Sequence, residues 1–215
     1  LNFIFIDTHV TAEVEFHCVT QAKRMYEEGK SMEYIIEKVN EVIDSASTYL
    51  LPVNLMHLAR GGRLTPMAAR LAGLLKIQPV LLINKTTNGK IDVVEKVRTL
   101  NRAMDHVVDF MSHDGVDENY DVFVAYVKET KDCEKMLGKI QTAFPTANSS
   151  LIPLISTVGC HTGIGCVAIQ PCNRGNGGVL FHSGCVGDSK TVVQHALRDH
   201  QLCGGMAHHD AQPSV

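Results

Sequence analysis

The sequence predicts an α/β fold, and three observations lead to that prediction. Short apolar runs alternate with longer stretches whose apolar residues recur at helical spacing. Asn88-Gly89 lies between two apolar runs, which predicts a β-hairpin, because both turn residues tolerate positive φ. A glycine-rich segment, 159–165, follows an apolar run, and ligand-binding turns of α/β sheets occur at such places.

The first 53 residues follow the order strand, helix, helix, strand, which suits an α/β layer arrangement. Residues 3–6 are a short apolar run that predicts a buried strand. Residues 11–28 are amphipathic at helical spacing, and Gly29 ends that helix. A second amphipathic helix begins near Ser31, and residues 49–53 predict the next strand.

After a connecting segment at 54–65, Thr65 and Pro66 predict the N-cap and first turn of a helix. The expected buried stripe of that helix is Met67, Ala68, Leu71, Leu74 and Leu75. The same patterns then predict strands at 79–84 and 90–94, a helix at 97–111, a strand at 120–127, a helix at 131–144, and strands at 150–158 and 166–169. The pattern stops at Pro171, so we expect residues 171–215 to be an atypical tail rich in Gly, His and Cys.

Composition excludes several classes of function. The 215 residues allow one sizeable core or two small lobes. The net charge of −3 offers no basic excess for nucleic acid, and no run approaches the roughly 18 to 20 apolar residues of a membrane span. Seven cysteines without a secretion signal indicate free thiols and a cytoplasmic location. Because the first residue is Leu1, we expect the chain to begin inside a longer protein.

Gly61-Gly62-Arg63 is the first candidate site. Two glycines allow close approach of the backbone to an anion, and Arg63 is a permanent planar cation suited to a carboxylate or phosphate. The helix beginning near Pro66 adds unsatisfied N–H groups and the positive end of a dipole. The alternative is a turn between two helices with a surface arginine.

His161-Thr162-Gly163, within the glycine-rich segment, is the second candidate. His161 can donate to an anionic group, and Thr162 offers a hydroxyl. The segment is neither a Walker loop nor a dinucleotide fingerprint, since no Gly-Lys-Ser/Thr follows and no helix clearly begins there. The alternative is a flexible strand connection with a solvated histidine.

Two further positions are weaker candidates. Arg98 lies where the hairpin enters a helix, and the alternative is a simply exposed basic residue. Thr8 could present its hydroxyl to a cleft, and the alternative is a helix N-cap.

Catalytic and metal sites have little support in the sequence. Cys160 beside His161 suggests a Cys/His-dependent enzyme, but adjacent residues in an extended turn point apart. A zinc-binding module in the tail would need ligands whose spacings include no Cys-x-x-Cys pair. Those residues are Cys172, His182, Cys185, His195, His200, Cys203, His208 and His209.

Six segments between residues 6 and 169, taken in their order along the chain, resemble the DegV family of bacterial fatty-acid-binding proteins. They are LMHLARGGRL at 55–64, LLKIQPVL at 74–81, NGKI at 88–91, KVR at 96–98, FPTA at 144–147 and GCHTGIG at 159–165. The resemblance implies a two-lobed α/β fold. Residues 1–53 would be the remainder of a truncated first lobe, and 54–170 a second lobe with a mixed sheet flanked by helices.

The resemblance also implies a function. Such proteins bind a long-chain fatty acid between the lobes and present its carboxylate to a separate fatty-acid kinase subunit. They are carriers rather than enzymes and use no cofactor beyond the bound acid. The resemblance implies ligand-binding roles for Thr8, His161, Thr162 and Gly163. It implies head-group or partner-docking roles for Gly61, Gly62, Arg63 and Arg98.

Overall fold

The computed structural model describes residues 4–74 and 76–175, and within them the α/β prediction is confirmed. The described residues all belong to one compact unit. The described strands are β1 (Thr48–Leu51), β2 (Gln78–Ile83), β3 (Asp92–Val97), β4 (Tyr120–Tyr126), β5 (Asn148–Pro153) and β6 (Val167–Asn173). The described α-helices are α1 (Glu13–Glu27), α2 (Met32–Ser45), α3 (Leu55–Arg60), α4 (Pro66–Arg70), α5 (Leu100–His113), α6 (Lys131–Ala143) and α7 (Ser156–Thr162).

The six strands form one mixed sheet in the order β3-β2-β1-β6-β4-β5. Only the β4–β5 pair is parallel among these strands. The register pairs Leu51 with Val167, Val167 with Tyr126, and Tyr126 with Pro153. The carboxyl ends of β1, β4 and β5 therefore meet the start of β6 at one end of the sheet, which we call the site end.

One face of the sheet is covered by α5 and α6. Both helices present apolar residues at helical spacing, including Met104 and Val107 from α5 and Met136 and Ile140 from α6, all fully buried. They pack on strand residues of the same face, among them Val124. This is the largest apolar cluster of the described residues.

The other face has two separate apolar clusters. One lies under α1 and α2, where Val14, Val39 and Ile43 pack against Cys172 of β6. The second lies under α3, where Leu58 clusters with strand residues that include Leu50, Leu81 and Ala168. Gln170, fully buried in β6, lies opposite Thr48 of β1 and donates to its hydroxyl (3.0 Å).

The two long helices at 11–28 and from Ser31 are confirmed as α1 and α2. The Ser31 hydroxyl accepts from Tyr34 N (3.3 Å) and caps α2, and Gly29 takes φ +74° between the helices. Positive φ favours glycine, which is why the helix ends there.

The strand predicted at 3–6 is wrong for residues 4–6, which are irregular. Phe5 is 89% exposed. Its apolar run has no neighbouring strand among the described residues, and a strand needs a partner for its backbone groups.

The segment at 54–65 is not only a connection, because α3 forms within it. The buried stripe predicted after Pro66 is confirmed for two of its residues and wrong for two others. Ala68 and Leu71 are buried, but Met67 and Leu74 are 61% and 52% exposed. The α-helix ends at Arg70 and a 3₁₀ turn follows over Leu71–Gly73, so one helical period does not continue across the stripe. Leu75 lies outside the described residues.

Three further bounds differ from prediction. The strand predicted at 150–158 ends at Pro153, and α7 occupies much of the predicted turn at 159–165. The helix expected from 97 begins at Leu100, after the Thr99 cap. β6 continues through Pro171 to Asn173 instead of stopping there.

Pro171 fits into β6 because β1 no longer pairs there. The β1 register ends at Ile169, and the carbonyl of Pro171 accepts from Ser47 N (3.2 Å). Proline lacks only the N–H, so a position without a required donor tolerates it. The division into lobes at 53 and 170 stays a prediction, although β1 of the predicted first lobe is a central strand of the sheet.

Candidate ligand-binding site

Two short helices, α3 and α7, lie together at the site end of the sheet. α3 follows β1 and is capped by Asn54, whose Oδ1 accepts from His57 N (3.0 Å). α7 follows β5. Its Gly159 is buried, and a Cβ added at Gly159 would lie 3.6 Å from the Val127 side chain. Contacts between α3 and α7 bring the two sequence motifs at 61–63 and 161–163 to the same place.

Each helix ends at a glycine against which a histidine of the other helix packs. A Cβ on Gly61 would lie 3.4 Å from His161 Nδ1, and a Cβ on Gly163 would lie 3.2 Å from His57 Cδ2. The His57 Nε2–H also donates to Cys160 O (2.8 Å). We call His57 with residues 61–63 and 161–163 the paired-turn site.

The glycines of this site are required for different reasons. Gly62 and Gly163 adopt φ +68° and +84°, which side chains of L-residues rarely adopt. Gly61 has an ordinary φ of −70° but leaves space for the His161 ring. The paired-turn site thus depends on both backbone freedom and close packing.

Arg63 is exposed beside these turns. Its Nη1 donates to Gly61 O (3.0 Å), and its own carbonyl accepts from Ile91 N (3.3 Å). That backbone bond ties the segment to the residue before β3. Because a guanidinium has five N–H donors, the bond to Gly61 leaves most of them for an anion.

The anion site expected at the start of the Pro66 helix stays a prediction, and that helix offers an anion fewer free groups than expected. α4 has five residues, too few for a substantial dipole. Thr65 Oγ1 already accepts from Ala68 N (3.2 Å), and Pro66 has no N–H to offer.

Thr162 is buried and its hydroxyl bonds within α7, to Val158 O (3.3 Å). The hydroxyl also faces Cys166, whose side chain is fully buried. Burial raises the pKa of the Cys166 thiol to about 12, so that thiol stays protonated at neutral pH. In this arrangement Thr162 supports α7 from inside.

Exposed apolar side chains surround the paired turns. Val53, Met56 and Ile164 are 67%, 46% and 57% exposed, and Val53 Cγ2 would lie 3.1 Å from a Cβ on Gly165. Large apolar side chains exposed beside polar groups are typical of ligand or partner contacts.

The other two predicted site residues, Thr8 and Arg98, are not part of the paired turns. Thr8 belongs to the segment before α1, whose His9 packs on Gly89 in the β2–β3 connection. Ile91 of the same connection donates its N–H to the Arg63 carbonyl (3.3 Å), so His9 packs on a connection that also contacts the paired-turn site. Arg98 is exposed just after β3, at the site end but two strands from β1, about 10 Å. No recorded contact among the described residues joins either one to the paired turns.

The structure gives the Cys/His enzyme no geometric support. The exposed Cys160 donates its thiol to Thr157 O (3.2 Å), and the nearby His57 contacts the carbonyl of Cys160 instead. Over residues 4–74 and 76–175, no three His, Cys, Asp or Glu side chains are grouped to hold a metal ion. Of the proposed tail ligands, Cys172 is buried in β6 and the others lie outside the described residues.

None of the described helices is both long and apolar enough to cross a membrane.

The sequence motifs gave no role to one residue of the site, His57. His57 was part of a matched segment, but no role was assigned to it. A signal was present in the sequence, since Asn54 is a good N-cap three residues before His57. The contact of His57 with Cys160 spans 103 positions and left no local signal.

Comparison with known proteins agrees with this architecture. The family model described as "Uncharacterised protein, DegV family" matches residues 1–173. The DegV domain-containing protein M5005_Spy0672 of Streptococcus pyogenes is 27% identical over 78% of this chain. YqaC of Lactococcus lactis is 30% identical over 78% of this chain. In both cases the chain spans only 59% of the relative's length.

Solved structures show the same fold. The fatty acid binding DegV family protein SAG1342 from Streptococcus agalactiae matches with a TM-score of 0.72 and 27% identity, over 79% of this chain and 59% of that one. DegV from Bacillus subtilis, described as a fatty acid binding protein, matches with a TM-score of 0.66 and 24% identity, over 78% and 59%. A DegV family protein from Eubacterium eligens, loaded with heptadecanoic acid, matches with a TM-score of 0.66 and 19% identity, over 78% and 59%. The extent of the family match and the shared fold together establish that this chain belongs to the DegV family.

Proposed function

We propose that this chain is part of a protein that binds a long-chain fatty acid and presents its carboxylate to a partner kinase for acyl-phosphate formation. The observation that carries the proposal is the paired-turn site, where Arg63 and His161 approach the same glycine, Gly61. The fatty acid binding described for SAG1342, 27% identical to this chain, supports the same ligand class.

The chemistry of the site suits an amphipathic acid. A guanidinium and an imidazole can both donate to a carboxylate. The exposed Val53, Met56 and Ile164 provide apolar surface beside them. Burial of an acyl chain contributes about 0.8 kcal/mol per CH₂, so the chain supplies most of the affinity and polar groups orient the head.

Lipid extraction tests the binding proposal. Protein purified under native conditions should release a long-chain fatty acid detectable by mass spectrometry, and lipid-free protein should bind added palmitate or oleate. Repeated absence of extracted lipid together with no binding of either acid would overturn the proposal for this chain.

Arg63→Ala tests the role in presentation. The Arg63 side chain is exposed and bonds to the nearby Gly61 carbonyl. Its loss should therefore reduce kinase-dependent acyl-phosphate formation more than it reduces lipid retention. The two quantities are measured by turnover with the kinase subunit and by the amount of bound lipid.

Arg70→Ala is the matched control, since Arg70 is also exposed but lies at the far end of α4. It should leave turnover close to that of the unaltered protein. Greater loss of lipid than of turnover in Arg63→Ala would contradict the presentation role.

A further inference from the structure

His57 links the two halves of the paired-turn site. Its backbone N–H is held by Asn54 Oδ1 at 3.0 Å, and its ring Nε2 contacts Cys160 O at 2.8 Å. The same ring lies against Gly163, where an added Cβ would approach it to 3.2 Å. Asn54 therefore holds the His57 backbone at the start of α3, while the His57 ring contacts α7.

The bond to Cys160 satisfies a particular need of α7. The helix has seven residues and no side-chain N-cap, so it is too short to be stable alone. The last four carbonyls of a helix have no partner within it, and that of Cys160 is one of these. Gly163 N bonds to Gly159 O (2.9 Å), and His57 supplies the donor for the next carbonyl.

We infer that His57 is a positioning residue, whose hydrogen bond to Cys160 O sets α7 against α3 and thereby fixes the His161 ring relative to the Arg63 guanidinium. The inference rests on the proposed function, because it concerns how the site presents two donors to a fatty-acid carboxylate. His57 acts through His161 and Arg63.

Two substitutions separate the hydrogen bond from ring packing. His57→Phe keeps a ring against Gly163 but removes the donor to Cys160 O. His57→Gln removes the ring but places an amide N–H near the position of Nε2. The matched control is His113→Phe, since His113 lies on α5 with its side chain 90% exposed.

The experiment measures the affinity of each variant for oleate and for oleyl alcohol, which has the same chain but no carboxylate. We expect His57→Phe to weaken oleate binding by roughly tenfold and to change oleyl alcohol binding less than about twofold. His57→Gln and His113→Phe should bind both ligands as the unaltered protein does. Equal oleate affinity in His57→Phe and the unaltered protein would overturn the inference, as would failure of His57→Gln to preserve affinity.

Nitrogen NMR of the imidazole rings gives a readout that does not require lipid. His57 should carry its proton on Nε2, and His57→Phe should shift the His161 ring resonances while His57→Gln leaves them close to their original positions. If the unaltered protein binds no oleate, the proposed function fails while these spectra still test the positioning role. An unprotonated Nε2 on His57, or unchanged His161 resonances in a folded His57→Phe variant, would contradict the positioning role of His57. If His57→Phe does not fold, the tautomer and the His57→Gln variant decide the question.

Discussion

Gly163 combines two constraints at a single residue. Its φ of +84° strains any L-residue, and the His57 ring fills the space that a Cβ would take. Gly61 has only the second constraint, through the His161 ring. The two histidines thus pack against glycines for steric reasons that sequence periodicity does not reveal.

Gly163→Ala should destabilise the fold by at least about 1 kcal/mol, because positive φ is costly for alanine and the His57 ring must move. The free energy of unfolding from urea titrations measures the effect. Gly73→Ala is the matched control, since its Cβ meets open space and its φ is not positive; it should stay within about 0.5 kcal/mol. Equal stability of the two variants would refute the steric account.

His17 is a buried histidine on the inner face of α1, 1% exposed. Burial, followed by the nearby Arg174 and Arg24 charges, lowers its pKa from 6.5 to about 4. The unfolded chain therefore binds a proton between pH 6.5 and 4 that the folded protein does not. This contribution to stability is fully present above pH 6.5 and is lost as pH falls towards 4.

The loss of stability from His17 between pH 7 and 4 should reach up to about 3 kcal/mol, since each pKa unit corresponds to about 1.4 kcal/mol. Urea unfolding at pH 7 and pH 4.5 measures it. His17→Gln should reduce the difference between the two pH values, whereas His113→Gln, altered at an exposed histidine, should keep it. An unchanged difference in His17→Gln would rule out His17 as its source.

At the scale of elements, local signals explain the long helices better than the short ones. α2 and α5 are fourteen residues long and are capped by Ser31 and Thr99, whose hydroxyls accept from backbone N–H groups. α3, α4 and α7 have five to seven residues, and helices of that length are not stable in isolation. Their positions depend on contacts with the sheet and with each other.

Thr99→Ala tests the capping of α5. The Thr99 hydroxyl accepts from Arg102 N (3.3 Å), and its loss should cost about 1 kcal/mol of unfolding free energy. Thr142→Ala is the matched control inside α6, where the hydroxyl only donates to Gly138 O, and alanine favours the helix. It should be neutral or slightly stabilising; a cost equal to that of Thr99→Ala would argue against a capping effect.

At the scale of the whole molecule, stability comes from apolar side chains packed on both faces of the sheet. Met136 of α6 is fully buried between α5 and the sheet, while Met67 of α4 is 61% exposed. The same residue type thus contributes differently according to where the fold places it.

Met136→Ala should cost about 2–5 kcal/mol, because it leaves a cavity in a close-packed core. Met67→Ala should change stability by no more than about 0.5 kcal/mol. Thermal or urea unfolding compares the two variants directly. A large loss of unfolding free energy in Met67→Ala would contradict the exposed position of Met67 and would favour the buried stripe predicted from the sequence after Pro66.

The free thiols expected from the cysteine count agree with the described residues. Cys18, Cys133, Cys166 and Cys172 are buried and free, and Cys160 is exposed and free. Burial raises the pKa of Cys18 to about 11 and that of Cys133 to about 12, so both thiols are protonated at neutral pH.

The sequence by itself determined the α/β class, the long helices and most of the strands, because apolar periodicity and capping residues act over a few neighbouring positions. α2 and the hairpin around Asn88-Gly89 follow from such local patterns. The sequence also supplied the two glycine motifs of the paired-turn site, and their order is what resembles the DegV family.

Only the tertiary structure decided which of the candidate residues meet. It joins Gly61 to His161 and Gly163 to His57, and it places Arg98 after β3, two strands from β1. It also ends the strand at Pro153 so that α7 can form, and it carries β6 past Pro171 where β1 has ended. The physical reason is that these outcomes depend on contacts between residues far apart in the chain, whose close approach is set by strand order and helix packing rather than by local sequence.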